Sequence, residues 1–268
     1  MANSRCANLR EFRRLAGAVL LSAVGAALLG GCKGNSTAAA MVRREPVTAA
    51  PVSVPWAKGD VLHADPMSSD LWKSATIVAL GAPANTEHTT LPCRAKLLVD
   101  SQHLYVAFIS ERADEPAGLD RDLVSLYLDN SREKDGREIV QLSAGPGGQI
   151  TCNWIRAAVA AEPRPDGTPD LTHPVSMIPN WKVEGLVAAV GNGELDGKPA
   201  WTVVMAIPID RLPLPFRTMP AMGARWKFNL MRTVMAEGDL LQANYSPVAV
   251  GAQAVSPYRM AELDIGNP

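Results

Sequence analysis

The sequence predicts an all-β protein, an antiparallel β-sandwich of jelly-roll or immunoglobulin-like type with long Pro-rich loops. Three observations predict it. After about Trp56, apolar residues recur at every second position in short runs. Clusters of Gly, Asn, Asp, Ser and Pro separate the runs and suit tight turns. Stretches with a helical period are few, which disfavours alternating β–α architectures.

The clearest unit is "CRAKLLVDSQHLYVAFIS", Cys93 to Ser110. Cys93, Ala95 and Leu97 alternate with Arg94, Lys96 and Leu98, Asp100 to His103 supply turn chemistry, and Leu104 to Ser110 return as the second arm of a hairpin. In "GLDRDLVSLYLDN", Val124, Leu126 and Leu128 point one way and Ser125, Tyr127 and Asp129 the other, so one face is buried and one is left for something else. The strand "EIVQLSA" follows the charged "SREKDGR", and "GPGG" turns the chain into "QITCNW". "GLVAAV" leads through the Gly/Asn-rich turn "GNGELDGK" to "AWTVVMAIPI", where Trp201, Val203, Met205 and Ile207 share a face. "RWKFNLM" groups Trp226, Phe228 and Leu230, and "MAELDI" closes the sheet. Trp72, Trp201 and Trp226 sit at apolar-periodic positions and are expected in the core.

The N-terminus reads as an address. Arg5, Arg10, Arg13 and Arg14 precede an apolar stretch from Leu15 to Leu29, short and Ala/Gly-rich for a membrane span. It runs into Leu29-Gly30-Gly31-Cys32, which resembles the lipobox of bacterial lipoproteins and implies cleavage before Cys32 and lipidation of its thiol. The expected organisation is a signal peptide over residues 1–31, a flexible tether over 32–55 and a sandwich domain over 56–268. The tether would span roughly 25–30 Å as a flexible coil. The expected location is the bacterial cell envelope, lipid-anchored at the outer membrane or cell surface; Lys33 after the lipidated Cys argues against retention at the inner membrane. No other apolar stretch approaches a span, so the lipid is the expected membrane contact.

Loss of Arg5, Arg10, Arg13, Arg14 and Glu11 takes the formal charge from −1 to −4. A mildly acidic chain with no basic run argues against nucleic acid as a partner. Cys93 and Cys152 remain in an oxidising compartment, and two readings stand side by side: a disulfide if their strands are neighbours, or two buried thiols.

The order "DPMSSDLWKSA", "LLVDSQHLYVAF", "DLVSLYLDN", "VQLSAGPGGQI", "WTVVMAIPIDRL", "GARWKFNLMR", "SPYRMAELDI" resembles the family 9 carbohydrate-binding modules and their DOMON-like relatives over about residues 57–265. The resemblance implies a sandwich with a sugar-binding groove and a polysaccharide or oligosaccharide as partner. It maps polar ligand positions onto Asp122, Gln141 and Asn229, and places Ser125 where the family carries Glu. The family's two clamping tryptophans fall near Leu119 and Ala254, so this chain lacks them. Trp154 and Trp181 are the candidate replacements, with Asn153 and Asn180 beside them as hydroxyl-bonding groups; Arg232, close to Asn229, is either a further ligand contact or a surface or paired Arg. The period of Ile150, Cys152 and Trp154 also fits core packing for Trp154.

Other chemistry finds less support. There is no G-x-S-x-G, and His63, His88, His103 and His173 are scattered, which leaves no nucleophilic site or zinc site to argue for. An enzyme is therefore not expected, although the chain could serve a carbohydrate-degrading system. Asp120, Asp122 and Asp129 offer oxygen ligands for calcium near a loop. Two alternatives to glycan binding remain: a protein-interaction scaffold on a degenerate sandwich, and a haem electron carrier, the other use of the DOMON-like fold.

Overall fold

The computed structural model describes residues 49–82, 91–112, 121–129, 136–158, 175–212, 225–236, 239–246 and 260–265. The leader, Cys32, most of the tether, and the family's clamp positions at Leu119 and Ala254 lie outside them, as do Asp120 and the Pro-rich stretch 161–174. The chain divides into two units, Met1–Val42 and Arg43–Pro268, and the described residues belong to the second.

The described strands are β1 (Val52–Val54), β2 (Thr76–Ala79), β3 (Cys93–Val99), β4 (His103–Glu111), β5 (Asp122–Asp129), β6 (Gly136–Ala144), β7 (Ile150–Ala158), β8 (Val175–Ile178), β9 (Val187–Leu195), β10 (Lys198–Pro208), β11 (Arg225–Ala236), β12 (Asp239–Asn244) and β13 (Ala261–Ile265). Short 3₁₀ turns occupy Asp70–Trp72 and Ile209–Arg211, and no α-helix occurs among the described residues. None of these elements is a helix long and apolar enough to cross a membrane.

Eight strands form a large sheet in the order β1-β13-β11-β5-β6-β7-β8, with β12 also paired to β11; five form a small sheet in the order β2-β3-β4-β10-β9. Neighbours run antiparallel except β1 and β13, which are parallel. The expected β-sandwich is therefore the observed class. The apolar faces of the two sheets share one core, in which Val124, Leu126, Leu128, Leu142, Phe228 and Leu230 of the large sheet join Leu97, Val106, Trp201, Val203, Met205 and Ile207 of the small one. Trp201 and Trp226 are buried there, as their periodicity requires.

Trp72 is buried too, but in a second cluster. It packs with Val61 and Ala75 against Leu98, Tyr105, Ala107, Val204 and Ala206, the other face of the small sheet. Its indole Nε1 donates to the carbonyls of Val61 and Ala64, both at 3.2 Å. Ser69 starts the 3₁₀ turn that carries it, its hydroxyl accepting from the Leu71 amide at 3.3 Å. The segment after β1 thus shields the small sheet, which leaves the large sheet's outer face as the one to inspect for a ligand.

Two boundaries differ from the sequence reading. The tether does not extend to Pro55: Val52 and Val54 are buried in β1, which pairs with Leu263–Ile265, because their two-residue period fits the sheet edge. The turn in "GNGELDGK" is only Asp196-Gly197, both at positive φ (53° and 82°), joining Leu195 to Lys198. That geometry is the two-residue hairpin favoured by Asp-Gly. Gly191 and Gly193 lie within β9, opposite Thr202 and Ala200, where the missing side chains admit close neighbours.

The β3–β4 turn shows how a single side chain sets a hairpin. Asp100 Oδ1 accepts from the amides of Gln102 (2.7 Å) and His103 (2.6 Å), and Oδ2 accepts from the Tyr105 hydroxyl (2.7 Å). Burial alone would raise the Asp100 pKa; the Tyr105 hydroxyl, the two amides and the nearby His103 outweigh it and hold the carboxyl below its ordinary value. The contribution is thus complete above the unfolded value of about 3.9 and is lost as pH falls through the lowered folded one. Asp100→Ala is expected to lower unfolding stability by about 1–3 kcal/mol at neutral pH. Urea titrations at neutral pH and near pH 3 check it: the difference between variant and parent should shrink at the acid end.

Candidate functional site

The outer face of the large sheet carries a file of uncharged polar side chains. Backbone pairing places Ser143 beside Ser125, and Gln141 between Tyr127 and Asn153. The side chains connect in sequence. The Ser125 and Ser143 hydroxyls are 2.7 Å apart, Gln141 Nε2 donates to Ser143 Oγ at 3.3 Å, and Asn153 Nδ2 donates to Gln141 Oε1 at 3.1 Å. The file ends where the Asn180 backbone N–H donates to Asn153 Oδ1 at 3.3 Å. Exposure grows along it: Ser125 and Ser143 are buried, Gln141 and Asn153 half-buried, and Asn180, at φ 54°, exposed.

Around the file the face is apolar, on β6 and β7 as well as on β5 and β11. Tyr127, Ile139, Ile155, Met231 and Met260 pack together there. Burial pushes the Tyr127 phenol up to about 12, against the pull of hydrogen bonds with Ser125 and Gln141. The accessible polar groups therefore gather at the β6–β7–β8 end of the face.

Three predicted ligand contacts belong elsewhere. Asp122 and Arg232 face the core, because each stands two residues from an apolar inward residue, Val124 and Leu230, and so shares its face. Arg232 is 1% exposed; its Nε and Nη2 donate to the two Asp122 oxygens at 3.0 and 2.8 Å. Nη1 donates to the Pro92 carbonyl (3.1 Å) and Nη2 also to that of Glu111 (2.6 Å). Trp201 Nε1 of the small sheet donates to Asp122 Oδ2 at 2.9 Å. This ion pair joins the two sheets and is shut away from any ligand. Asn229 lies on the outer face but is fully buried. Its Oδ1 accepts from the amides of Ser246 and Leu230 (both 2.9 Å) and its Nδ2 donates to the Ser246 carbonyl (3.2 Å), so it fastens the chain after β12.

Trp154 and Trp181 do meet, with ring centroids 5.7 Å apart and planes inclined by 48°. Two rings that hold a pyranose between them must stand about 7–8 Å apart, one carbon contact on each side. This pair touches itself and is not a two-walled clamp. Trp154 lies on the inward side of β7, two residues after the core residue Cys152, and Trp181 packs against the same core. Both are half-buried, so Trp181, next to exposed Asn180, offers at most one platform.

The remaining expectations concern cysteine and calcium. Cys93 and Cys152 are free thiols, in β3 of one sheet and β7 of the other. Cys93 Sγ lies 3.3 Å from Ser110 Oγ, and burial pushes its pKa up to about 11; burial raises that of Cys152 too. The buried-thiol reading holds and the disulfide does not. Asp122 and Asp129 cannot share a calcium ion, because they stand at opposite ends of β5, about 23 Å apart at a strand's rise, and on opposite faces. Among the described residues no group of three acidic, His or Cys side chains forms a metal cage.

Sequence reasoning missed Ser143, although the alternation of Gln141 and Ser143 in "VQLSA" puts both on one face. It paired Asn180 with Trp181 but not with Asn153, since that contact crosses an irregular connection.

No protein-family model matches the sequence, and a search of curated proteins returns no match. Solved structures do match. A proposed carbohydrate-binding protein from Bacteroides uniformis superposes with TM-score 0.52 and 11% identity, over 81% of this chain and 100% of that one. A family 9 carbohydrate-binding module from Caldicellulosiruptor kristjanssonii in complex with glucose superposes with TM-score 0.50 and 13% identity, over 81% and 97%. The fold is that of a family 9 carbohydrate-binding module. The same module in complex with cellotriose gives 0.49 and 12%, over 81% and 94%. This CBM9-like sandwich carries a file of polar side chains beside an apolar cluster on the outer face of its large sheet and gives its inward Asp and Arg to the join between the sheets.

Arg232→Ala leaves Asp122 buried without its cation and is expected to cost about 3–5 kcal/mol in urea unfolding, with Asp122→Leu/Arg232→Met recovering much of the loss. In native protein, Cys93 is expected to resist alkylation until denaturant is added, and non-reducing peptide maps should show no Cys93–Cys152 linkage.

Proposed function

We propose that the protein is a lipid-anchored component of a bacterial cell envelope whose sandwich binds a polysaccharide or oligosaccharide without transforming it. The observation that carries this reading is the file Ser125–Ser143–Gln141–Asn153–Asn180, open at its β7–β8 end beside Trp181. An amide side chain presents a donor and an acceptor in one plane, which matches hydroxyl groups that also donate and accept. The file contains no charge, which suits a neutral sugar. Trp181, which follows Asn180 in the chain and packs against the core, would offer the exposed part of its half-buried indole to the C–H face of a sugar ring. The CBM9-like fold and the glucose complex of the Caldicellulosiruptor kristjanssonii module support the same ligand class by analogy. The lipobox-like Leu29-Gly30-Gly31-Cys32 supports the anchor.

A second reading is an envelope scaffold. Edge strands β8 and β9 expose Met177, Ile178, Val187 and Val190, the apolar side chains a protein partner would cover. Crosslinking in intact cells tests it; recovery of monomer alone would exclude it.

Affinity electrophoresis through gels cast with neutral polysaccharides tests the first reading. Retardation by at least one is expected, and Asn153→Ala should weaken it about tenfold or more while leaving the unfolding curve nearly unchanged. Free migration through every gel of a broad panel would overturn glycan binding. Separately, Cys32→Ser should move the protein from the membrane pellet to the soluble fraction and abolish incorporation of labelled palmitate.

A further inference from the structure

A cleft of about 430 Å³ opens at the end of the small sheet, lined by none of the residues of the polar file. One wall is the β3–β4 turn, with Ser101, Gln102 and His103. The opposite side is formed by Glu184 and Gly185, ahead of β9, and by Asp210 and Arg211 of the second 3₁₀ turn; Pro208 lies buried between them.

The walls are built rather than incidental. The three hydrogen bonds of Asp100 fix the turn that presents Gln102 and His103. The Ile209 amide donates to the Gln102 carbonyl at 2.9 Å and ties that turn to the 3₁₀ segment. Gly185, at φ +81°, lets its backbone approach Pro208, with 3.6 Å from the position a Cβ would take to the proline Cγ.

The charges along the rim alternate. Arg211 stands between two carboxylates, with Nη1 3.4 Å from Glu184 and Nε 3.4 Å from Asp210. All three side chains are more than half exposed, and both contacts are long, so their hydrogen-bonding capacity is largely open. An anion entering here meets two carboxylates, and a cation meets the guanidinium. A neutral ligand whose groups both donate and accept fits each in turn. Carboxylate, guanidinium and the Gln102 amide each present adjacent polar atoms in one plane, suited to two neighbouring hydroxyls at once. The partly exposed His103 imidazole, over the cleft floor at Pro208, gives the apolar surface such a ligand also needs.

We propose that this cleft is a second binding site, for a neutral ring bearing vicinal hydroxyls, such as one residue of a glycan chain. Its argument rests on the cleft's own groups and not on the outer-face site, although a polysaccharide would engage both.

The test is two-dimensional NMR of the full chain in detergent micelles, titrated with methyl glycosides of glucose, galactose, mannose and xylose. Saturable shifts are expected at Gln102, His103, Gly185 and Arg211 with at least one glycoside. Arg211→Ala and Glu184→Ala, both at exposed positions, should each weaken those shifts tenfold or more while leaving any at Asn153 and Asn180 in place. Asn153→Ala should do the reverse, so failure of one site is distinguishable from failure of the other. The proposal is overturned if no glycoside moves the cleft signals, or if methylammonium or acetate moves them more strongly than any glycoside.

Discussion

The buried pair of Arg232 and Asp122 constrains everything else in this sandwich. A guanidinium that is 1% exposed requires partners for its donors, and they come from three places, Asp122 on β5 and the carbonyls of Pro92 and Glu111, while the Trp201 indole on β10 donates to Asp122 in turn. The arrangement is satisfied only in one register of β5 against β11, with Asp122 opposite Val234 and Val124 opposite Arg232. A slip of one residue would turn Arg232 outward and drive the neighbouring polar side chains into the core. The same register places Ser125 outward, and through β6 and β7 it places Ser143, Gln141 and Asn153 beside it. The composition of the outer face is thus set by a charge pair that never touches it.

The fold was legible because its signal is local and repetitive. The alternation of Val124, Leu126 and Leu128 with Ser125, Tyr127 and Asp129 is a statement about two faces, and the side chains turn as it says, although the outward Ser125, Tyr127 and Asp129 are buried as well because neighbouring side chains cover them. The Asp100 turn and the Asp-Gly turn at Asp196-Gly197 follow from side-chain chemistry within a few residues. Val52 and Val54 escaped because a three-residue strand beside Pro51 and Pro55 has too little pattern to separate it from a Pro-rich tether; its partner β13 lies at the far end of the sequence. Gly191 and Gly193 looked like turn residues because glycine is read locally, whereas their reason here is the crowding of β9 by neighbours distant in sequence.

The site was legible only in part, for the same reason inverted. Gln141, Asn153 and Ser125 share a face by parity, and parity is a sequence property. Asp122 and Arg232 also obey parity, which puts them inside; a resemblance in position had suggested ligand contact, but the parity they share with Val124 and Leu230 was the stronger guide. Asn229 shows the limit of parity, since it does face outward yet spends its amide on Ser246, a contact that depends on where the chain after β12 returns. The tryptophans show it again. That Trp154 and Trp181 meet was not written in either local pattern, nor that they meet at 48° and too close to hold a ring between them.

The consequence for glycan binding is one of magnitude. A pair of facing indoles would supply most of the apolar contact in a sugar complex; here one half-buried Trp181 and the open ends of Gln141, Asn153 and Asn180 stand in their place. Hydrogen bonds exchanged with water contribute only about 0.5–1.5 kcal/mol each, and association itself is costly. On the proposed reading a single domain therefore binds a single sugar weakly. Weak contacts become effective when they are repeated, and two features of the proposal repeat them. A polysaccharide presents the same residue many times, and a lipid anchor holds many copies of the domain at one surface, so that each successive contact forms at high effective concentration. On that reading, with no paired indoles to hold the ring, the proposed anchor would be part of the binding mechanism.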